Sequence, residues 1–223
     1  MPKAIVTFGR SWQALAVVRS LGRQGIEVVV GEETHFAPCF FSKYATATFR
    51  HPSVSEEPEA FLDRLAEVVE EHAPEDPDDP YVLFPVHKET WLIAEHRERF
   101  EPRIRMALAP NEDMVRVHNT GRIVGIAEEL GIPIPETRLF RSVDEVYRAV
   151  PEMTFPQFVK VREGAAGVGI QKVDDPEELL SAFKGFVEGY GLEPDDYPIV
   201  QAAVPGHDYC VTALFNHGEP VAS

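Results

Sequence analysis

The residues with the clearest chemical potential lie in Phe158-Val-Lys-Val-Arg-Glu-Gly-Ala-Ala-Gly-Val-Gly-Ile-Gln-Lys-Val173. Apolar residues on either side of the glycines predict two strands, 158–162 and 169–173, joined as a hairpin. Glycines let a turn adopt backbone angles closed to other residues and expose its N–H groups. Successive exposed N–H groups form a concavity that holds anions. Lys160 adds a point charge able to reach phosphate oxygens from the neighbouring strand. The segment is not a Walker A loop, because no Gly-Lys-Ser/Thr follows and the turn joins two strands rather than opening a helix. Taken alone, it reads equally well as a phosphate clasp or as an ordinary hairpin with a solvated lysine.

The other candidates carry less. Phe8-Gly-Arg-Ser-Trp-Gln follows the first apolar run, where dinucleotide-binding folds place Gly-x-Gly-x-x-Gly, but only Gly9 is present. That disfavours nicotinamide and flavin cofactors. His87-Lys-Glu89 falls at the carboxyl end of an expected strand, where doubly wound sheets gather ligands. The reading preferred there is a solvated strand-to-helix turn, with the border of a substrate pocket as the alternative. The eight histidines show no shared metal-ligand spacing, and no Ser-His-Asp arrangement can be inferred. Cys39 and Cys210 belong to no paired spacing and read as reduced thiols. Trp12 and Trp91 read as core or edge packing residues.

The elements that must position these residues begin with a strand from Lys3, a helix over 11–22 with Trp12, Leu15, Ala16, Val18 and Leu21 on one side, and a second strand over 26–30. This strand–helix–strand unit implies a parallel sheet. A short strand over 46–50, an amphipathic helix over 58–73, a strand over 81–85, a helix over 90–98 and a strand over 103–109 complete it. Phe61, Leu62, Leu65, Val68 and Val69 mark the buried face of the second helix. Beyond 113 the pattern changes to helices over 121–130, 143–150 and 176–188, with Asp174 or Asp175 as N-cap of the last. Strands over 198–203 and 210–215 follow the hairpin. The fold class expected is α/β, a doubly wound parallel sheet followed by an incomplete α+β domain.

Composition narrows the function further. Asp and Glu outnumber Lys and Arg by 37 to 21, a net charge of −16 that repels nucleic acid and anionic lipid as general partners. No apolar run approaches the roughly 18 residues of a membrane span, and nothing resembles a signal peptide, so the expected location is cytoplasmic.

Three blocks in order bear on the hairpin: Glu129-Leu-Gly-Ile-Pro-Ile-Pro-Glu-Thr137, the glycine segment itself, and Tyr197-Pro-Ile-Val-Gln-Ala-Ala-Val-Pro-Gly206. Together they resemble the ATP-grasp superfamily, and the opening of the chain resembles its Rossmann-like pre-ATP-grasp domain. More narrowly, the chain resembles carboligase-like proteins related to the large chain of carbamoyl-phosphate synthase. The resemblance implies a pre-ATP-grasp domain over 1–113, an ATP-grasp subdomain with the glycine-rich loop over 114–195, and the start of a second subdomain over 196–223. It implies ATP as cofactor, with Lys160 on the nucleotide phosphates and Glu163, Gly164, Ala165, Gly167, Val168 and Gly169 in the loop that closes over them. Gln201, Ala202 and Val204 fall on the strand that reads adenine, and Asp208 falls near the acid that holds the ribose.

The implied activity is that of an ATP-dependent carboxylate–amine ligase. ATP phosphorylates a small carboxylate to an acyl phosphate, which a nitrogen nucleophile then attacks. The substrate site is expected to be shared between the first domain and the missing portion. The chain departs from the family at Asn119-Thr120, where Asp-Lys is usual, and at Gln201, where glutamate is usual. Mg2+ is expected for the full-length family enzyme. Its ligands are expected beyond the segment matching 199–222, so this chain is expected to bind nucleotide without turning it over. The alternatives are a non-catalytic nucleotide-binding module or one half of a split enzyme, with a homo-oligomer or a complementing chain as partner. An oxidoreductase and a glycosyltransferase-like domain are the remaining readings.

Overall fold

The computed structural model describes residues 1–164, 167–207 and 209–222 and divides into two compact units, Met1–Val115 and Arg116–Ser223. The first is built on β1 (Lys3–Val6), whose Ala4, Ile5 and Val6 are buried. Such a strand, apolar on successive residues, belongs at the centre of a parallel sheet covered on both faces. After it come α1 (Trp12–Arg23), β2 (Glu27–Glu32), β3 (Ala47–Arg50), α2 (Pro58–Glu71), β4 (Tyr81–Phe84), α3 (Glu89–Glu95) and β5 (Arg105–Met106), and α4 (Asn111–His118) runs across the boundary between the units. The strands run parallel in the order β3-β2-β1-β4-β5. One layer of core joins α2 to Ile5, Val29 and Leu83 through Phe61, Leu62, Leu65, Val68 and Val69. Burying each of these side chains stabilises the unit by about 1.5–3 kcal/mol before chain entropy is counted. The other layer joins α1 to Val6, Val28 and Val30 through Ala14, Leu15 and Val18.

The second unit comprises α5 (Thr120–Glu129), β6 (Thr137–Leu139), α6 (Val143–Ala149), β7 (Gln157–Lys160), β8 (Ile170–Val173), α7 (Pro176–Tyr190) and β9 (Ile199–Ala202). Its sheet is antiparallel in the order β6-β9-β7-β8. Asp175 caps α7 by accepting from the N–H groups of Glu177 and Glu178. Val159, Val173 and Val200 share one sheet face and pack with Leu179, Ala182 and Phe183 of α7 and Val146 of α6. On the opposite face, Thr137, Gln201, Phe158 and Lys172 stand in one row across the four strands. Leu139, Ile199, Lys160 and Ile170 form the next row. The helices on the valine face therefore back a sheet whose other face carries the lysine. The final hairpin, β10 (Leu214–Asn216) and β11 (Glu219–Ala222), is exposed along its length.

The doubly wound parallel sheet, the antiparallel sheet after it and the hairpin over the glycine segment match the expectation from sequence. Four local expectations need correction. Trp12 is 77% exposed. It occupies the first turn of α1, and the buried stripe starts at Ala14 instead. The strand expected over 103–109 shrinks to Arg105–Met106, because Ile104 turns into the core just before it. Residues 210–215 form strand only from Leu214, where the pairing with β11 begins; among the described residues that sheet has two strands. Residues 111–118, given no element from sequence, form α4 with no buried side chain. Among the described residues no helix is long and apolar enough to cross a membrane.

Candidate functional site

The hairpin of β7 and β8 is drawn tight at its glycines. Lys160 pairs with Ile170, and the Val161 N–H donates to the Gly169 carbonyl at 2.8 Å, which carries the ladder one residue further. Gly169 has φ +76°, and a Cβ there would lie 2.3 Å from Val161 Cγ2. A Cβ on Gly164 would lie 2.8 Å from the Val168 carbonyl oxygen. Both positions exclude side chains for steric reasons. The small cleft this leaves, about 110 Å³, is lined by Thr120, Lys160, Gly164, Gly167 and Val168, among others. A larger cleft of about 320 Å³ lies in the first unit near Ala73, Tyr81 and Arg103, at the amino ends of β4 and β5.

The root of the loop is fastened to the start of α5. Asn119 caps that helix through Oδ1, which accepts from the Arg122 N–H at 3.2 Å. Its Nδ2 donates to Glu163 Oε1 at 3.3 Å. The Thr120 N–H donates to the Arg162 carbonyl at 2.8 Å, and Arg162 Nε donates to the Tyr197 carbonyl at 2.8 Å. From sequence, Asn119 and Thr120 counted only as departures from a family pattern. An asparagine directly before an apolar-periodic helix is also an N-cap signal, and that signal could have found Asn119.

Lys160 projects from the end of β7 onto the face opposite the helices. Its Nζ donates to Gln201 Oε1 at 2.6 Å and lies 5.4 Å from the centre of the Phe158 ring. Burial lowers its pKa from the ordinary lysine value. Among the described residues no carboxylate pairs with it, so its partners are a neutral amide and an aromatic face. A half-buried ammonium with only neutral partners favours an incoming anion. The charge is present below the lowered pKa and lost as pH rises through it. Affinity for a phosphate-bearing ligand is therefore expected to decline in a less alkaline range than an ordinary lysine would give. A bound anion restores the charge, so binding in that range takes up a proton, measurable by calorimetry in buffers of different ionisation enthalpy.

Beyond Gln201 the strand prepares a main-chain edge. The Ala202 N–H donates to the Glu136 carbonyl at 2.8 Å, and the Ala203 N–H donates to the Pro156 carbonyl at 3.1 Å. Proline has no N–H to return to Ala203, so the β7 ladder ends there. Val204 follows, 69% exposed. The structure thus brings Lys160, Gly164, Gly167 and Val168 to one cleft, ties Glu163 to its rim through Asn119, and sets Gln201 against Lys160. Ala202 ends the strand that carries Gln201, and Val204 lies two residues beyond it. Ala165 and Asp208 lie outside the described residues.

The carboxyl edge of the first unit holds a separate polar cluster. Glu32, wholly buried at the end of β2, accepts from Arg10 Nε at 2.8 Å and from the N–H groups of Arg10, Glu33 and Thr34. Burial alone would raise its pKa; the Arg10 guanidinium and those N–H groups outweigh burial and hold it below the usual carboxylate range. An acid at this place in a dinucleotide-binding fold takes a ribose, but here the carboxylate is already engaged. Phe8 and His87 both have positive φ, 56° and 64°, and their rings stack at 4.7 Å. Glu89, expected in a solvated turn, is instead 2% exposed, because α3 begins there and turns it under the sheet edge. Its Oε1 lies 3.7 Å from Nε2 of buried His51, and its Oε2 has no partner.

Burial pushes the Glu89 carboxyl up to about 8, against the hydrogen bond from Thr7. A raised carboxyl pKa costs stability as pH climbs from the unfolded value towards the folded one. Glu89→Gln is therefore expected to match the wild type near pH 4.5 and to gain on it up to about pH 8, levelling off above. Urea denaturation across that range measures the difference.

No family model matches the chain. A 60-residue stretch, 26% of the chain, is 37% identical to the urea amidolyase of Saccharomyces cerevisiae, of which it covers 3%. Among solved structures, the biotin carboxylase domain of the Hydrogenobacter thermophilus 2-oxoglutarate carboxylase, in complex with MgADP, ADP and bicarbonate, matches 92% of the chain with TM-score 0.64 and 18% identity. A biotin carboxylase–ATP complex from Campylobacter jejuni matches 92% with TM-score 0.66 and 15% identity. The ADP-bound N5-carboxyaminoimidazole synthetase of Staphylococcus aureus matches 91% with TM-score 0.65 and 13% identity. The chain shares the fold of part of each of these structures. It spans about half the length of these structures, 45%, 46% and 48% respectively. At these identities the likeness shows a shared fold alone.

Proposed function

We propose that the second unit binds ATP and that the chain is the nucleotide-binding portion of an ATP-dependent carboxylate–amine ligase working through an acyl phosphate. The observation that carries this reading is Lys160, half-buried at the mouth of a glycine-tight hairpin with only neutral partners. Lys160 takes the nucleotide phosphates, and Glu163, Gly164, Ala165, Gly167, Val168 and Gly169 form the loop over them. Main-chain atoms at Ala202 and Val204, beside Gln201, read the adenine edge, and Asp208 falls at the ribose. On this reading 1–113 is the pre-ATP-grasp domain, 114–195 the subdomain with the loop, and 196–223 the start of the next subdomain. The finer placement among carboligase-like proteins related to carbamoyl-phosphate synthase rests on the three sequence blocks.

Magnesium accompanies ATP in this chemistry, neutralising charge on the transferring phosphoryl group. Among the described residues no group of three or more His, Cys, Asp or Glu is placed to hold a metal ion by itself. No step is assigned through the ion. The carboxylate substrate and its nitrogen nucleophile belong to the proposed activity of the whole protein. A binding module without turnover is the second reading, favoured by Thr120 and Gln201 standing where the family has lysine and glutamate.

The test is calorimetric titration of ATP, with and without Mg2+, into the wild type and Lys160→Ala, with NADH as control. Binding of ATP that is weakened in the variant supports the clasp. Equal binding by both proteins, or comparable binding of NADH, overturns it.

A further inference from the structure

Lys160 belongs to a chain of hydrogen bonds that crosses three strands. Its Nζ donates to Gln201 Oε1 at 2.6 Å, Gln201 Nε2 donates to Thr137 Oγ1 at 2.8 Å, and the Thr137 hydroxyl donates to the Pro135 carbonyl at 2.8 Å. The direction of this chain is set at both ends. An ammonium can only donate and a carbonyl can only accept. The amide must therefore turn its oxygen to Lys160 and its NH2 to Thr137, and the threonine hydroxyl must point to Pro135. Register makes the contacts possible, since Thr137, Gln201 and Phe158 share one row and Lys160 lies in the next on the same face. Apart from Gln201, Lys160 is flanked in that face by Phe158 on its own strand, Ile199 opposite on β9 and Ile170 opposite on β8; the titratable side chain of the neighbouring row is Lys172, opposite Phe158 and paired with Asp174.

We infer that Thr137 is a positioning residue for the nucleotide site: by fixing the orientation of the Gln201 amide it holds the Lys160 ammonium at the cleft. This rests on the assignment of Lys160 to the nucleotide phosphates and goes beyond it. Without the threonine oxygen, the half-buried amide N–H has no acceptor and the side chain is free to turn. Lys160 then loses its fixed acceptor, and its charged form becomes costlier to keep half-buried.

The experiment compares ATP binding by the wild type, Thr137→Val, Thr137→Ser and Lys160→Ala across pH, with thermal unfolding as a check on the fold. Valine keeps the β-branched shape and removes only the hydroxyl. It is expected to weaken ATP binding by about three- to tenfold, the scale of one neutral hydrogen bond, and to move the alkaline loss of affinity to lower pH. Serine is expected to restore both. Wild-type affinity and pH dependence in Thr137→Val overturn the inference, as does a loss that serine does not restore. Should the valine variant fail to fold, Thr137→Ala is read against Thr137→Ser in its place by the same criteria. If the wild type itself binds no ATP, the assignment of Lys160 fails. If Lys160→Ala loses binding while Thr137→Val keeps it, only the role of Thr137 fails.

Discussion

Replacing Lys160 with alanine is expected to lower the affinity for ATP by about ten- to a hundredfold while leaving the fold in place. A hydrogen bond to a charged group contributes about 1.5–3 kcal/mol, and each 1.4 kcal/mol is about tenfold in a dissociation constant. Lys160 is the cation that lines the cleft, and its one hydrogen-bond acceptor is the uncharged Gln201 oxygen. Among the described residues no competing carboxylate holds the charge back from a ligand. The fold should tolerate the change, since half-burial of the ammonium opposes folding and alanine removes that cost. Calorimetry measures the affinity, and thermal unfolding shows whether the protein stays folded. A variant that unfolds near the wild-type temperature and binds ATP as tightly would assign the lysine to packing alone.

Phe183→Ala should have the largest effect on stability, about 3–5 kcal/mol. Phe183 is wholly buried on α7 and meets Phe140 and Tyr197 edge-on, with ring centres 6.1 and 5.8 Å away. It packs with Val159 and Val200 on the face directly behind Lys160 and Gln201. A loss of this size in a unit of about 100 residues lowers its unfolding midpoint by well over 10 °C, at roughly 4–8 °C per kcal/mol. Nucleotide binding should fail at the same temperature, because β7 and β9 lose their backing together. Denaturant and thermal unfolding of the full chain measure the shift. A transition unmoved in the variant would mean that α7 does not anchor the sheet.

Much of the scaffold was legible before any coordinates. The five buried positions of α2 recur every three or four residues, and all five are buried. Asp175 before Pro176 announced a helix start, and it caps α7. Glycines between two apolar runs announced the β7–β8 hairpin. These signals are local, written within one or two turns of the element they specify. Where the reading failed, the deciding partner was distant. Trp12 has the residue type of a core position, but the place of α1 on the sheet turns it outward. Glu89 has the residue type of a surface position, but the start of α3 buries it beside His51, thirty-eight residues earlier.

The candidate site divides in the same way. By itself the sequence determined that Lys160 lies in a strand and that a glycine-rich turn follows, because both are properties of adjacent residues. Only the tertiary structure decided what surrounds that lysine. Gln201 and Thr137 lie 41 and 23 positions from it, and a one-residue slip in the pairing of β9 would turn the amide to the valine face. Register across three strands is set by the packing of Val159, Val173 and Val200 against α7, a long-range agreement that no local pattern records. It leaves the ammonium against a neutral amide, with its charge available to a phosphate.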